Sequence, residues 1–180
     1  MEDIIKNPIS HMLQGLAHWM SYRCEISNIQ VIESDVVLVA TDILRALLPK
    51  EYQVEREVTN KSLNLIEGKQ RIDLGIKHNG NIKYLIEFKL ADATNKGIKG
   101  DIVKLQQIKD KDPNICCLII ILFRNSIDAH SPKEFLGKEG QATRKVIKLA
   151  KSAVRVRRVC NSFTSRKNNN SKKTICLEVI

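Results

Sequence analysis

Apolar residues recur along this chain at two spacings, one typical of helices and the other typical of strands. Helical spacing predicts helices at about 8–20, 35–48, 97–111 and 141–153. Alternation of apolar and polar residues, or a short continuous apolar run, predicts strands at 52–58, 71–77, 82–90, 116–123, 154–160 and 174–180. The mixture of both kinds of element indicates the α/β class.

The order of these elements predicts one domain over residues 1–180. Its core, about 33–123, would follow the order αβββαβ, with the first helix before it and a helix plus a hairpin after it. We expect a central mixed β-sheet flanked by helices, because the run 116–123 is apolar throughout, like a strand covered on both faces. Residues 141–180 would form a basic C-terminal extension.

Charged residues interrupt two of the predicted strands. In the strand 82–90, Glu87 and Lys89 share one face, because successive side chains of a strand point to opposite sides. Asp73 lies in the middle of the preceding strand. Such groups are costly to bury unless they are paired or bound to a metal. The pattern therefore indicates a chemical site on these two strands.

Whether Asp73 joins Glu87 depends on the connection between the two strands. A two-residue turn at Asn79-Gly80 would put the two carboxylates on different faces, since directly opposite residues of an antiparallel pair share a face. A three-residue loop over 78–80, or a bulge, would put Asp73 on the same face as Glu87 and diagonal to it. We expect that loop or a bulge, and a convergence of both acids and Lys89 within roughly 5–8 Å.

This arrangement suits phosphodiester hydrolysis. Carboxylates on neighbouring strands can hold Mg²⁺ while leaving positions open for water and a phosphate oxygen. A lysine beside them can orient or deprotonate the attacking water, or offset developing negative charge.

The spacing Asp73-x13-Glu87-x-Lys89, on hairpin-related strands followed by a helix and an apolar strand, resembles the PD-(D/E)XK nuclease superfamily. That superfamily includes type II restriction enzymes, Holliday-junction resolvases and many defence nucleases. The resemblance covers roughly 33–123 and implies a restriction-endonuclease-like core. Ile72 stands where the name of the motif has proline.

The resemblance also implies roles for individual residues. Asp73 and Glu87 would be metal ligands, the backbone carbonyl of Phe88 a further ligand and Lys89 the catalytic lysine. The metal would be Mg²⁺ or Mn²⁺. A second carboxylate-x-lysine triplet, at 67–69, sits in a polar stretch without a preceding acidic strand and is discounted.

The family often places an auxiliary carboxylate on the helix before the first core strand. Glu33 fits that position best, with Asp35 and Asp42 as alternatives and Glu57 as a weaker one. Acids at helix starts are also common because they interact with the helix dipole. Two further charged residues, Asp101 and Lys104, flank the apolar stripe of the helix 97–111. They could reach the site, but an ordinary solvated i,i+3 pair is favoured.

The net charge favours a polyanionic partner. Thirty Lys and Arg residues against twenty Asp and Glu leave +10. With eight aromatic residues and no stacking series, contact with the backbone of duplex DNA is favoured over base stacking on single strands. The expected contacts lie on the last predicted helix and the strand after it: Arg144, Lys145, Lys148, Lys151, Arg155, Arg157 and Arg158.

The remaining sequence features narrow the class of protein. No apolar run has the roughly 18–20 residues that span a bilayer, so no membrane partner is expected. Five cysteines without paired spacing argue against zinc or a disulfide framework and for the cytoplasm. No glycine-rich phosphate loop occurs.

Together these observations predict a Mg²⁺-dependent DNA endonuclease of restriction or phage-defence type. Double-strand cleavage by a single small domain would imply a homodimer. The alternatives are a non-catalytic nucleic-acid-binding module on the same fold, a nuclease for RNA or branched structures, and a basic protein-interaction domain.

Overall fold

A computed structural model describes residues 3–26, 30–59, 71–90, 95–123, 146–149, 152–162 and 173–180. The helices of this part are α1 (Asp3–Ser21), which continues into a π-helical turn (Tyr22–Ile26), α2 (Glu33–Leu47) and α3 (Asn95–Lys111). The strands are β1 (Tyr52–Thr59), β2 (Arg71–His78), β3 (Asn81–Leu90), β4 (Cys116–Phe123), β5 (Val146–Leu149), β6 (Ser152–Asn161) and β7 (Lys173–Val179).

All seven strands form one sheet in the order β1-β2-β3-β4-β7-β6-β5. β3 and β4 run parallel, and the other neighbouring pairs are antiparallel. Parallel neighbours need a long crossover, and α3 lies within the connection from β3 to β4. The sheet is therefore mixed, as the sequence predicted, with β3 and β4 near its middle.

Helices cover both faces of the sheet. On one face α1 and α2 pack against the strands through a cluster that includes Leu16, Leu44, Phe88 and Ile120. On the other face α3 packs through a separate cluster that includes Ile102 and residues of β4, β6 and β7. Among the described helices, none is long and apolar enough to cross a membrane.

All six predicted strands are confirmed, each to within two residues at either end, and both ends of the strand 116–123 agree with the prediction. The predicted helix 141–153 is wrong: residues 146–149 form β5, and β6 already begins at Ser152. The apolar residues there, Val146, Ile147 and Leu149, fit either period over so short a run. Pairing with β6 decides the outcome, since it gives the segment a hydrogen-bonding partner that the sequence does not reveal.

Gly75 allows β1 and β2 to pack closely beside the candidate site. A Cβ atom at this position would lie 2.7 Å from Cγ2 of Val58 and 3.6 Å from Cδ2 of Leu85. Val58 and Leu85 are fully buried, so neither can move away without disturbing the α3 side of the core. A residue without a side chain is therefore required here.

We expect Gly75→Ala to lower the free energy of unfolding by about 1–3 kcal/mol, because the new methyl group overpacks a filled core. The matched control is Gly100→Ala on α3, where an added Cβ meets nothing within 4 Å. That change should be neutral or stabilise the protein by up to about 1 kcal/mol, since alanine favours a helix over glycine. Urea denaturation of both variants measures the difference, and equal stability of the two would contradict the packing argument.

Candidate active site

The β2–β3 hairpin combines a tight turn with a bulge. Asn79 and Gly80 form the two-residue turn and have φ values of 50° and 77°, the left-handed values that such turns favour. His78 pairs with Asn81, but the register then shifts between Ile76 and Lys77. The predicted three-residue loop is therefore wrong, whereas the predicted alternative, a bulge, is confirmed.

The bulge returns Asp73 to the strand face that carries Glu87, which a two-residue turn alone would not do. Beyond it, Ile76 pairs with Tyr84 and Leu74 with Ile86. Continuing this register by one residue puts Asp73 directly opposite Glu87, closer than the diagonal relation that was expected. The two carboxylates thus lie on one face of adjacent strands.

At this point a hydrogen bond to the side chain of Asp73 follows the backbone pairing between β2 and β3. The last pair recorded between the two strands is Leu74 with Ile86, and the N–H of Phe88 donates to Oδ2 of Asp73 at 2.8 Å. In an extended strand the N–H and C=O of one residue point toward the same neighbour. The carbonyl of Phe88 therefore also faces the Asp73 side of β3, where a metal ligand was expected.

Glu87 is buried, with 2% of its surface exposed. Its Oε1 is in ion-pair contact with Nζ of Lys104. Burial and the neighbouring Asp73 raise the pKa of Glu87 from 4.5 to about 8, and Lys104 offsets only part of that rise. The fold thus holds a carboxyl group that needs a positive partner to remain ionised at neutral pH.

Lys89 is held by carboxylates from two helices. Its Nζ lies 3.3 Å from Oε2 of Glu33, in the first turn of α2, and 3.3 Å from Oδ2 of Asp101 on α3. Burial lowers the pKa of Lys89, but Asp101 and Glu33 outweigh it, so the net pKa is raised above its ordinary value. The side chain is therefore a fixed ammonium group beside Glu87.

Glu33 is the one of the four candidate auxiliary acids that contacts Lys89 in the described residues. Besides Lys89, it accepts a hydrogen bond from the backbone N–H of Leu90 at 3.3 Å. Glu57 instead accepts from Arg71 at 2.7 Å. Its φ of 52° marks an irregularity in β1 between the pairs Arg56–Leu74 and Val58–Ile72.

The expectation of a solvated pair on the third helix is wrong. Asp101 and Lys104 both point into the site, and Lys104 lies 3.4 Å from Asp101, contacts Glu87 and donates to the carbonyl of Arg71 at 3.1 Å. Asp101 thereby contacts the ammonium groups of both Lys89 and Lys104. Helical periodicity places these residues beside the apolar stripe of α3. Because α3 packs over β3, the residues beside that stripe lie against Glu87 and Lys89.

These residues fit a hard divalent cation. No group of three or more His, Cys, Asp or Glu with the geometry of a metal site occurs among the described residues. Mg²⁺ does not need one, because it commonly takes one or two carboxylates and keeps several waters. Asp73, Glu87 and the carbonyl of Phe88 offer oxygen ligands, and a cation at the buried Oε1 of Glu87 would take the place of the ammonium group of Lys104.

A groove of about 870 Å³ adjoins the carboxylates along α2, β1 and β2. Glu33 and Asp73 line it, together with three cationic side chains that sequence reasoning did not single out. Of these, Lys77 pairs with Glu55, and Arg45 and Arg56 are exposed. For Arg56 and Lys77 the signal in the sequence is alternation along β1 and β2, which also describes an ordinary solvated face.

The expected C-terminal contacts lie away from the site. Arg155 and Arg157 both face Glu178, at 3.8 and 2.6 Å. Arg157 and Arg158 line a cavity of about 320 Å³ beside α1, which Lys109 near the end of α3 also lines. The strand β6 is separated from β3 by two other strands, which corresponds to about 14 Å. Lys148 is exposed on β5, while Arg144, Lys145 and Lys151 lie outside the described residues.

In comparisons with models of protein families, with curated proteins and with solved structures, the chain matches none. The function of the site therefore has to be argued from its own geometry.

In metal-free buffer, we expect the free energy of unfolding to fall as the pH rises from about 4.5 to about 8. Over that range the unfolded chain releases the proton of Glu87 while the folded protein retains it, so rising pH favours unfolding. Glu87→Gln cannot release a proton. It should match the wild type at the acidic end and exceed it at the alkaline end by a few kcal/mol, on the order of 1.4 kcal/mol per unit of pKa.

Urea denaturation in EDTA at a series of pH values tests this expectation. The exposed Glu51→Gln is the charge-matched control and should follow the wild type throughout. Parallel curves for wild type and Glu87→Gln would show that the carboxyl group titrates normally.

Proposed function

We propose that this protein is a metal-dependent nuclease of the PD-(D/E)XK kind, built on a restriction-endonuclease-like core and using Mg²⁺ or Mn²⁺. The observation that carries the proposal is the alignment of Asp73 with the buried Glu87, with Lys89 on the same strand face as Glu87. An acid pair with one flanking ammonium group is suited to binding a cation and a phosphodiester together.

Each residue has a distinct task in this proposal. Asp73 and Glu87 would hold the metal with the carbonyl of Phe88, and the hydrogen bond from the N–H of Phe88 fixes the orientation of the Asp73 carboxylate. When bound, the metal would supply a Lewis acid that polarises the phosphate and makes water more acidic. Burial of Glu87 keeps bulk water from competing with these contacts.

Lys89 would act as a cation. Its raised pKa keeps the ammonium group protonated at neutral pH, so it is poorly suited to remove a proton from water. It is well suited to orient the attacking water or to offset the charge that develops on the phosphate. Glu33 and Asp101 hold Nζ in place from two helices, which limits its motion before substrate arrives.

The substrate proposed for this site is duplex DNA, cleaved internally in a restriction or phage-defence role. The net charge of +10 favours a polyanion, and the groove beside Asp73 supplies Arg45, Arg56 and Lys77 close to the carboxylates. The basic residues of β5 and β6 would contact a second part of the nucleic acid. Cleavage of both strands by so small a domain would involve a homodimer.

We expect the protein to cleave DNA with Mg²⁺ or Mn²⁺ and to lose activity in EDTA. Asp73→Asn, Glu87→Gln and Lys89→Met should each reduce cleavage about a hundredfold or more, because each removes a ligand or the flanking cation. The assay uses plasmid, linear duplex, single-stranded DNA and RNA in parallel. Glu51→Gln and Lys111→Met, both exposed, are charge-matched controls and should remain active.

The pattern of results separates the alternatives. Cleavage that survives both Glu87→Gln and Lys89→Met would refute the proposed site. A wild type that binds DNA without cutting it would indicate a non-catalytic binding module. Preference for RNA or for branched DNA would indicate a nuclease of the RNA or resolvase-like kind. Negligible affinity for any nucleic acid would favour a protein-interaction domain.

We expect the groove to contribute contacts with the phosphate backbone. In an Asp73→Asn background, Arg56→Ala should weaken binding to duplex DNA and reduce the slope of log affinity against log salt by about 1, as for one lost phosphate contact. Fluorescence anisotropy at several salt concentrations measures the slope, with Lys111→Met as the control for loss of charge alone. A slope equal to that of the control would exclude Arg56 from the interface.

A further inference from the structure

We propose that Lys104 is a built-in counter-cation for the metal-free site, and that a divalent metal must displace its ammonium group from Glu87 in order to bind. The inference rests on the metal-dependent function proposed above and adds a role for a residue of α3. Lys104 would thus set the affinity of the site for metal while stabilising the protein without it.

The requirement for a counter-cation comes from the burial of Glu87. Its side chain is 3% exposed, and its Oε1 is in ion-pair contact with the ammonium group of Lys104. An ionised carboxylate in such a place is strongly destabilising unless a positive charge compensates it. The ammonium group in contact with it belongs to Lys104 and not to Lys89, which contacts Glu33 and Asp101.

Lys104 can leave Glu87 without becoming unpaired. Its Nζ also lies 3.4 Å from Oδ1 of Asp101 and donates to the carbonyl of Arg71 at 3.1 Å. Withdrawal from Glu87 would therefore keep two of its three contacts. A long, flexible lysine side chain can make such a move by changing rotamers, with no movement of the helix.

An ammonium group and a divalent cation repel each other and compete for the same carboxylate oxygen. Metal binding must therefore break the Lys104–Glu87 ion pair, and the lost interaction reduces the apparent affinity for metal. Removing the charge at position 104 should tighten metal binding and destabilise the metal-free protein. These opposite effects distinguish a counter-cation from a residue that merely supports the fold, whose loss would weaken both properties.

The test measures binding of Mn²⁺ alone by calorimetry, with all variants in the same buffer. We expect Lys104→Met to bind Mn²⁺ about tenfold more tightly than the wild type, as for the loss of a competing interaction of about 1.4 kcal/mol. Without metal, the same variant should melt at a lower temperature than the wild type, and saturation with Mn²⁺ should reduce the gap. Lys111→Met, on the same helix but exposed, should change neither property.

Glu87→Gln distinguishes failure of this inference from failure of the proposed metal site. If Glu87→Gln abolishes Mn²⁺ binding while Lys104→Met binds as the wild type does or more weakly, the site stands and the role of Lys104 is refuted. If Mn²⁺ binding is absent from the wild type or unaffected by Glu87→Gln, both the proposed metal site and this inference are refuted.

A measurement on the wild type keeps the inference testable if Lys104→Met does not fold. Reductive methylation, quantified by peptide mass spectrometry, reports how accessible each lysine amine is. Mg²⁺ should increase the rate at Lys104 severalfold, because the displaced ammonium group leaves its place beside Glu87, and should leave Lys111 unchanged. An unchanged or lower rate at Lys104 would refute the displacement.

Discussion

Burial of one carboxylate, that of Glu87, is the constraint on which the rest of the site depends. The side chain lies in the middle of a sheet strand beneath α3, where an uncompensated charge is strongly unfavourable. Lys104 reaches from α3 to contact it, and Asp101 holds Lys104 in turn. The position of α3 over β3 is therefore fixed by charge as well as by the apolar residues that it packs against the sheet.

Backbone geometry brings the second carboxylate to the same place. A two-residue turn alone would direct Asp73 and Glu87 to opposite faces, and the bulge after Ile76 returns them to one face. The ladder then gives way to the hydrogen bond between Phe88 and the Asp73 carboxylate. A single local irregularity thus supports the whole proposed metal centre, because a shift by one residue would separate the two acids.

Positive charge is distributed over two separate parts of the molecule. Arg45, Arg56 and Lys77 line the groove beside the carboxylates, whereas Arg155 and Arg157, on β6, share the acid Glu178. Pairing with Glu178 reduces the charge that those two arginines offer to a phosphate. The net charge of the chain therefore overstates the charge that the C-terminal strands offer, and in the groove the three cations lie among four acids, Glu33, Glu55, Glu57 and Asp73.

The sequence by itself determined the class of fold, six of the seven strands and the shared face of Glu87 and Lys89. These features follow from local periodicity, because the alternation of a strand is a property of consecutive residues. It also indicated Glu33 as the best auxiliary acid, on the basis of a resemblance and not of a contact. The short strand β5 was missed, because its four residues fit two periods and only the neighbouring strand β6 selects one.

Tertiary structure alone decided which charged residues meet. The bulge that aligns Asp73 with Glu87 depends on how two strands pair, and the entry of Asp101 and Lys104 depends on how a helix crosses them. Periodicity gives the face of an element on which a residue lies, but not which element that face will meet. For that reason the sequence predicted the two acids and the lysine of the site, whereas only the folded chain showed that a second lysine, Lys104, contacts Glu87.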